Sequence, residues 1–251
     1  MSNKKQNNTV WGLELGGSAL RLLRLTRNGR DYHVEEFFEV ALEDRWEAPA
    51  DYAVALAALP HMKIGDPLVV CGADERILFR SLCLPGARPA DLAKMVQSQL
   101  EVLIPTQAEH FAAAYANCPH PSEPGRQKVL LYAARREVLS ALLDSTKALG
   151  VDQAGLIPSI LSLPCCWTHL AQDSERSDDP ILLIDVGARC TSIALLIEKR
   201  VAHCSIIDQA GDHWTEQIAE HLGITASQAE QRKLAYATAG SPAQADPQLH
   251  G

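Results

Sequence analysis

ILLIDVGARCTSIALLIEKR, running from Ile181 to Arg200, is the stretch whose reading decides the fold. Four apolar residues, Ile181 to Ile184, lead into Asp185-Val186-Gly187. A polar turn follows from Ala188 to Ser192, and Ile193 to Ile197 form a second apolar run. That run closes on Glu198-Lys199-Arg200 before Val201 to Cys204 resumes a strand pattern. Apolar runs of this length between turn signals read as buried strands. Gly187 is expected at a turn that requires positive φ, where a β-branched residue would strain the backbone. The hairpin tip then offers backbone N–H groups, a carboxylate and a hydroxyl, a chemistry suited to a phosphate and its magnesium ion.

The same grammar occurs earlier, in VWGLELGGSALRLLRLTRNGR from Val10 to Arg30. Leu13-Glu14-Leu15-Gly16 aligns with Ile184-Asp185-Val186-Gly187, and Leu22 to Leu25 repeats the pattern of Ala194 to Leu196. A single acid-x-Gly hairpin reads as a structural turn. Its recurrence, with similar strands on both sides, sets beside that reading two related halves facing a cleft.

Composition narrows the classes. The 251 residues suffice for one large or two moderate domains. Apolar residues make up 47% and charged residues 22%, as in soluble globular proteins. A net charge of −8 without any basic cluster argues against a nucleic-acid partner. The seven cysteines form no C-x-x-C, so neither zinc nor a disulfide framework is indicated and a reducing compartment is expected. The opening MSNKKQNNT lacks an apolar core, hence a mobile tail (1–9) rather than a signal peptide, and no apolar run is long enough to span a bilayer.

Along the chain, Tyr32–Val40, Leu68–Cys71, Ile77–Leu82, Glu109–Asn117, Lys128–Ala134 and an edge strand at Val151–Leu156 read as strands. Helices are expected at Asp51–Leu59, from Pro89 through Leu92, Val96, Leu100 and Leu103 to Pro105, at Arg136–Leu149 before Gly150, and at Pro158–Leu170 with a kink at Pro164. Asp173–Pro180 reads as a linker. Asp212 is placed as the cap of a helix carrying Trp214, Ile218 and Leu222 and ended by Gly223. Thr225-x-x-Gln228 is a capping box opening a last helix that fades near Ala237. Strands and helices alternate, which predicts an α/β architecture.

With these elements placed, the chain resembles the PilM family, the actin-like cytoplasmic proteins of type IV pilus assembly. It is more distantly similar to FtsA and to the cytoplasmic part of the type II secretion protein GspL. The residues that carry the resemblance are Gly12 to Arg21, Leu84-Pro85 through Asp91-Leu92 to Glu101–Pro105, Val129–Ala134 with Glu137-Val138, and Ile181–Thr191 with Gly211-Asp212. The resemblance implies an actin-like ATPase (ribonuclease H-like) fold. Residues 10–180 would form a first lobe with a small α+β subdomain inserted at about 75–127. Residues 181–237 would begin a second, incomplete lobe, and 238–251 a disordered tail. In that fold the two hairpins grip nucleotide phosphates. Carried over by position, the phosphate-facing residues are Glu14, Gly16, Gly17, Ser18, Asp185, Gly187 and Thr191, with Asp185 the one magnesium ligand.

Three departures argue against ATP and Mg in this chain. Glu14 stands where the family has Asp, Ser192 where an Asp often follows the Thr, and the sequence stops before any Gly-Gly segment that would hold adenine. The expected function is therefore an adaptor rather than an enzyme, at most a weak ATPase. It would sit in the cytoplasm, peripheral to the inner membrane, and bind a short N-terminal peptide of a PilN-like or GspM-like membrane protein. The partner site is expected in an apolar groove between the 75–127 region and the first lobe, with Ile77–Leu82 and Glu109–Asn117 as edge strands. The alternative is an ATP-binding or weakly hydrolysing scaffold whose nucleotide state controls the partner. A sugar kinase is a remote third reading, since no substrate-side base can be placed. Self-association and the choice between pilus and secretion machine are left open by the sequence.

Overall fold

Among the described residues three β-sheets set the architecture: the first and third each put one face in a core of their own, and the second and third meet in a shared core. The structure is a computed structural model that describes residues 8–29, 31–42, 56, 57, 59, 67–72, 76–105, 107–118, 124–147, 150, 152–170 and 179–238. The expected tails, the 173–178 part of the linker and most of the Asp51–Leu59 helix lie outside the described residues.

The first sheet joins β1 (Thr9–Leu15), β2 (Ala19–Asn28), β3 (Asp31–Ala41), β4 (Pro67–Gly72) and β8 (Asp152–Ile157) in the order β3-β2-β1-β4-β8. The first three strands form an antiparallel meander, and β4 and β8 join it in parallel. Period-2 alternation puts Trp11, Leu13 and Leu15 on one face of β1, where they meet Leu20, Leu22, Leu68, Val70 and Leu142 in a core. The edge position expected for the 151–156 strand is where β8 lies.

The third sheet, β5-β7-β6, is antiparallel: β5 (Ile77–Pro85), β7 (Arg126–Arg135), β6 (Phe111–Asn117). Both strands expected at an edge are edges, although Glu109 lies in a 3-10 turn and β6 begins two residues later. Helix α1 (Pro89–Leu103) covers one face with Leu92, Val96 and Leu100, the i, i+4, i+8 stripe of an amphipathic helix. Pro89 occupies its first turn, where the missing N–H costs nothing. Helix α2 (Arg136–Lys147) follows β7 without a break and sends Leu142 into the first core. Helix α3 (Ser159–Leu170) runs through Pro164.

The second sheet is the antiparallel meander β9 (Ile181–Val186), β10 (Thr191–Ile197), β11 (Arg200–Ile207). Its β10–β11 turn holds Glu198 and Lys199 at φ 51 and 59. Helices α4 (Gly211–Leu222) and α5 (Ala226–Thr238) pack together beyond it. The capping box opens α5 as expected: the Thr225 N–H donates to Gln228 Oε1 at 3.0 Å and the Gln228 N–H to Thr225 Oγ1 at 3.3 Å. The expected cap of α4 needs correction. Ala210 is the cap residue, without a side-chain bond, and Asp212 sits inside the first turn, where its charge suits the helix dipole. Gly223 ends α4 in the left-handed region at φ 61.

Candidate functional site

The two hairpin tips are built alike. The Gly16 N–H donates to the Ala19 carbonyl at 3.0 Å, and the Gly187 N–H to the Cys190 carbonyl at 3.1 Å. Here the sequence expectation for Gly187 fails, because its φ is outside the left-handed region. What requires glycine is space: a Cβ on Gly187 would lie 3.0 Å from the Cys190 carbonyl oxygen, and one on Gly16 only 2.6 Å from that of Ala19. Gly17 answers a third approach. A Cβ there would lie 2.9 Å from Arg189 Cγ and 3.2 Å from Ala188 Cβ, so the two tips touch.

Beside the touching tips opens a cleft of about 820 Å³, bounded on the far side by α4 and α5. Of the seven expected phosphate-facing residues, Gly17, Ser18 and Gly187 line it. Gly16 lies within the turn behind them. Glu14 stands directly across from Arg21, which reaches it at 3.2 Å and Glu39 on the next strand at 2.7 Å. The hydrogen bond to Glu39, together with that to Glu14, outweighs partial burial and raises the Arg21 pKa. Asp185 is exposed on β9, opposite Ser192. The Thr191 hydroxyl donates to the Gln209 carbonyl at 2.6 Å and so fixes the approach to α4. Among the described residues no three His, Cys, Asp or Glu side chains converge as a metal site.

The cleft also holds a group the sequence reading missed. Lys233 of α5 donates to the Gly211 carbonyl at 2.9 Å and to Thr215 Oγ1 at 2.8 Å, and pairs with Glu230 at 2.6 Å. Thr215 in turn bonds the same Glu230 carboxylate. Burial alone would push the Glu230 carboxyl up, but the hydrogen bonds from Lys233 and Thr215 and the ammonium charge overcome it and hold the carboxyl below its ordinary range. Trp214 and Leu234 give this end an apolar, exposed rim. The sequence signal was Glu230-x-x-Lys233, a spacing that on its own describes any solvated helix pair.

The Lys233–Thr215–Glu230 end of the cleft is a closed network, in which the three ammonium hydrogens go to Gly211, Thr215 and Glu230. At the other end the Arg189 stem packs against Gly17 and Glu14 is turned to Arg21, while Gly17, Ser18 and Gly187 border the open cleft.

A second, smaller cavity of about 190 Å³ lies elsewhere, between the ends of β4 and β8 on one side and β6 and β7 on the other. Gly72, Leu156 and Ile157 form one wall, and Ile77, Ala112, Ala114 and Tyr132 the other, with Val138 and Leu139 of α2 closing it. This cavity borders the 75–127 region, and its lining extends past residue 127 into β7 and α2.

The sequence model of the FtsA family, cell division protein FtsA, matches residues 182–249. FtsA of Pseudomonas aeruginosa is 26% identical over 161 residues, 60% of this chain and 38% of the relative, so the chain spans well under half of that protein. Among solved structures, a PilM–PilN type IV pilus biogenesis complex superposes with a TM-score of 0.75 at 22% identity, over 90% of this chain and 69% of the other. The cytoplasmic domain of EpsL, an inner-membrane component of the type II secretion system of Vibrio cholerae, gives 0.52 at 15% identity, over 84% and 75%. With two acid-x-Gly hairpins meeting across a cleft and these likenesses, the chain has the actin-like fold, in the form seen in the PilM–PilN complex.

Proposed function

We propose that the chain is an adaptor of an inner-membrane assembly platform, of the type IV pilus or of type II secretion. It would lie in the cytoplasm and bind a short N-terminal peptide of a PilN-like, or GspM-like, membrane protein. The observation that carries this reading is the apolar groove beside β6, an edge strand among the described residues. An extended peptide gains main-chain hydrogen bonds from a strand edge and specificity from apolar anchors in an adjacent groove. The alanines of β6 leave room for such anchors. Among the described residues no helix is long and apolar enough to cross a membrane, and a net charge of −8 repels anionic lipid. Recruitment through a partner answers both facts.

The test is a point change, since removing 75–127 would also take Phe79 and Cys118 from a buried core. Ala112→Glu places a carboxylate in the groove without touching that core. Titration of a PilN-like N-terminal peptide should show at least a tenfold weaker Kd, about 1.4 kcal/mol, with an unchanged melting temperature. Undiminished binding by the folded variant would place the partner elsewhere.

The second reading is a nucleotide-dependent scaffold, favoured by the Lys233–Thr215–Glu230 group in the large cleft. Calorimetric titration with Mg-ATP separates the two. The adaptor reading expects no appreciable heat from the wild-type chain. Low-micromolar binding that is lost on Lys233→Ala would promote the scaffold.

A further inference from the structure

We propose that the outer end of the seam between the second and third sheets docks an extended, acidic segment of a partner protein, held by Arg126, Lys128, Lys199 and Arg200. The site lies apart from the large cleft, and it does not require the apolar groove to be a partner site.

The four cations come from two distant stretches, Arg126-x-Lys128 at the start of β7 and Lys199-Arg200 where the β10–β11 turn enters β11. That separation hides the group in the sequence. The fold joins the two stretches at Asn117 and Cys118, where β6 ends. Arg200 Nη2 donates to the Asn117 carbonyl at 3.1 Å, and the Cys118 N–H donates to the Lys128 carbonyl at 3.0 Å. Burial pushes the Cys118 thiol up, and the Lys128 and Arg200 charges oppose it, so both cations act on one point. Arg126, two residues before Lys128, shares its face of β7. It donates through Nε to Cys83 Sγ at 3.2 Å and through Nη2 to the Cys83 carbonyl at 2.6 Å, and Cys83 is the register partner of Lys128. Arg126, Lys199 and Arg200 are exposed and Lys128 is half-buried, with Glu198 the carboxylate of the same turn.

Such a concentration runs against the composition, since the chain has 31 Asp and Glu but 23 Lys and Arg. Like charges brought together repel, and an opposite charge arriving there relieves the repulsion. Two of the four are ordered in advance. The Cys83 and Asn117 contacts hold the Arg126 and Arg200 guanidiniums, so gripping a carboxylate loses little side-chain freedom. The layout selects the ligand. Arg126 and Lys128 stand about 7 Å apart along the strand, which is also the spacing of alternate side chains in an extended peptide. Carboxylates at every second residue of that peptide meet Arg126 and Lys128 in turn, then Arg200 and Lys199 across the seam. An anionic bilayer has no such register, and a net charge of −8 repels it. Tyr132 and Ala134, toward the other end of β7, line the apolar groove, so the two places can be filled independently.

The test is an anisotropy titration of the whole chain with a fluorescent peptide of alternating Glu and Ser in low salt. Lys128→Glu with Lys199→Glu should weaken binding roughly tenfold. Lys199→Glu alone, in an exposed turn, should weaken it less but measurably, with an unchanged melting temperature. Arg27→Glu with Lys94→Glu makes the same change of net charge at exposed positions on β2 and α1 and should leave the Kd within about twofold. Equal losses for the two double variants would reduce the effect to net charge and overturn the inference. Undiminished binding by the Lys199 variants, or no binding by the wild-type chain, would overturn it too. Vesicles of phosphatidylserine with phosphatidylcholine and a single-stranded oligothymidylate are titrated alongside. If either binds more tightly than the peptide and loses affinity in the Lys128→Glu, Lys199→Glu chain, the site belongs to a membrane or to nucleic acid and the inference falls. Ala112→Glu should leave the acidic-peptide Kd unchanged, so this outcome and that of the groove titration are read separately.

Discussion

Strands β1 and β9 carry the same sequence grammar and end in the same turn, yet their apolar faces meet opposite fates. Trp11, Leu13 and Leu15 are 4%, 0% and 7% exposed, whereas the aligned Leu182, Ile184 and Val186 are 56%, 57% and 49% exposed. The difference lies in the neighbours. Strand β1 sits between β2 and β4, and Leu56, Leu59 and Leu142 cover its apolar face. Strand β9 pairs with β10 alone among the described residues, and it is its other face, Ile181 and Leu183, that enters a core. Alternation therefore tells which residues share a face; it does not tell which face is covered.

The largest expected effect tests that contrast directly. Leu13→Ala removes a fully buried side chain and should cost about 2–5 kcal/mol in urea denaturation. Ile184→Ala, at the matching position, should stay within about 0.5 kcal/mol of wild type. Equal costs would mean that the open face of β9 is covered in solution, and the comparison would collapse.

The turns give the next effect. A methyl on Gly16 would press on a backbone oxygen at 2.6 Å, against 3.0 Å for Gly187. Gly16→Ala should therefore destabilise by about 2 kcal/mol and Gly187→Ala by about half of that, with both values inside the usual range for point changes. The reverse order would show that the turns differ in a way their matching hydrogen bonds conceal.

Much of this was legible in the sequence, and the failures have identifiable causes. The hairpin repeat, the Leu92–Val96–Leu100 stripe and the Thr225–Gln228 box are local patterns, and they appear where local chemistry puts them. The requirement for glycine at position 187 was right in kind and wrong in cause. A positive φ and a crowded Cβ give the same residue, and only coordinates separate them. Lys233 and Thr215 lie 18 residues apart on two helices in contact, a pairing that no spacing rule could supply. The shared core was also invisible, since Phe79, Leu130 and Leu196 each read as the inside of their own strand.

The cleft cluster supplies a pH test in which the first hairpin is the reference. Glu230 is held below the ordinary carboxyl value of 4.5 in the folded chain. A depressed folded-state pKa contributes stability that is present above the unfolded value and is lost as pH falls through the folded one. Glu230→Gln should thus lower the melting temperature at neutral pH, by less than either glycine change. The gap to wild type should close as the pH drops below 4.5. A gap that persists into acid would mean that the carboxylate charge is not what holds α4 to α5.

The smallest effect concerns the two aligned carboxylates. Glu14 is bridged by Arg21, which also holds Glu39, while Asp185 is exposed on β9. Both bridges have side chains well over a third exposed, so water screens them strongly and the pair of contacts contributes less than about 1 kcal/mol. Arg21→Met keeps the apolar stem over the sheet and removes only the charge. Its cost in low salt should be measurable, and it should fade near 1 M salt, where the screening length is about 3 Å. A salt-independent loss would show that Arg21 acts through packing. Released from Arg21, Glu14 would stand as exposed as Asp185, and the variant should bind Mg-ATP no more tightly than wild type, because the Arg189 stem still packs against Gly17. Tighter binding by Arg21→Met would move the obstacle from the touching tips to the Glu14 bridge.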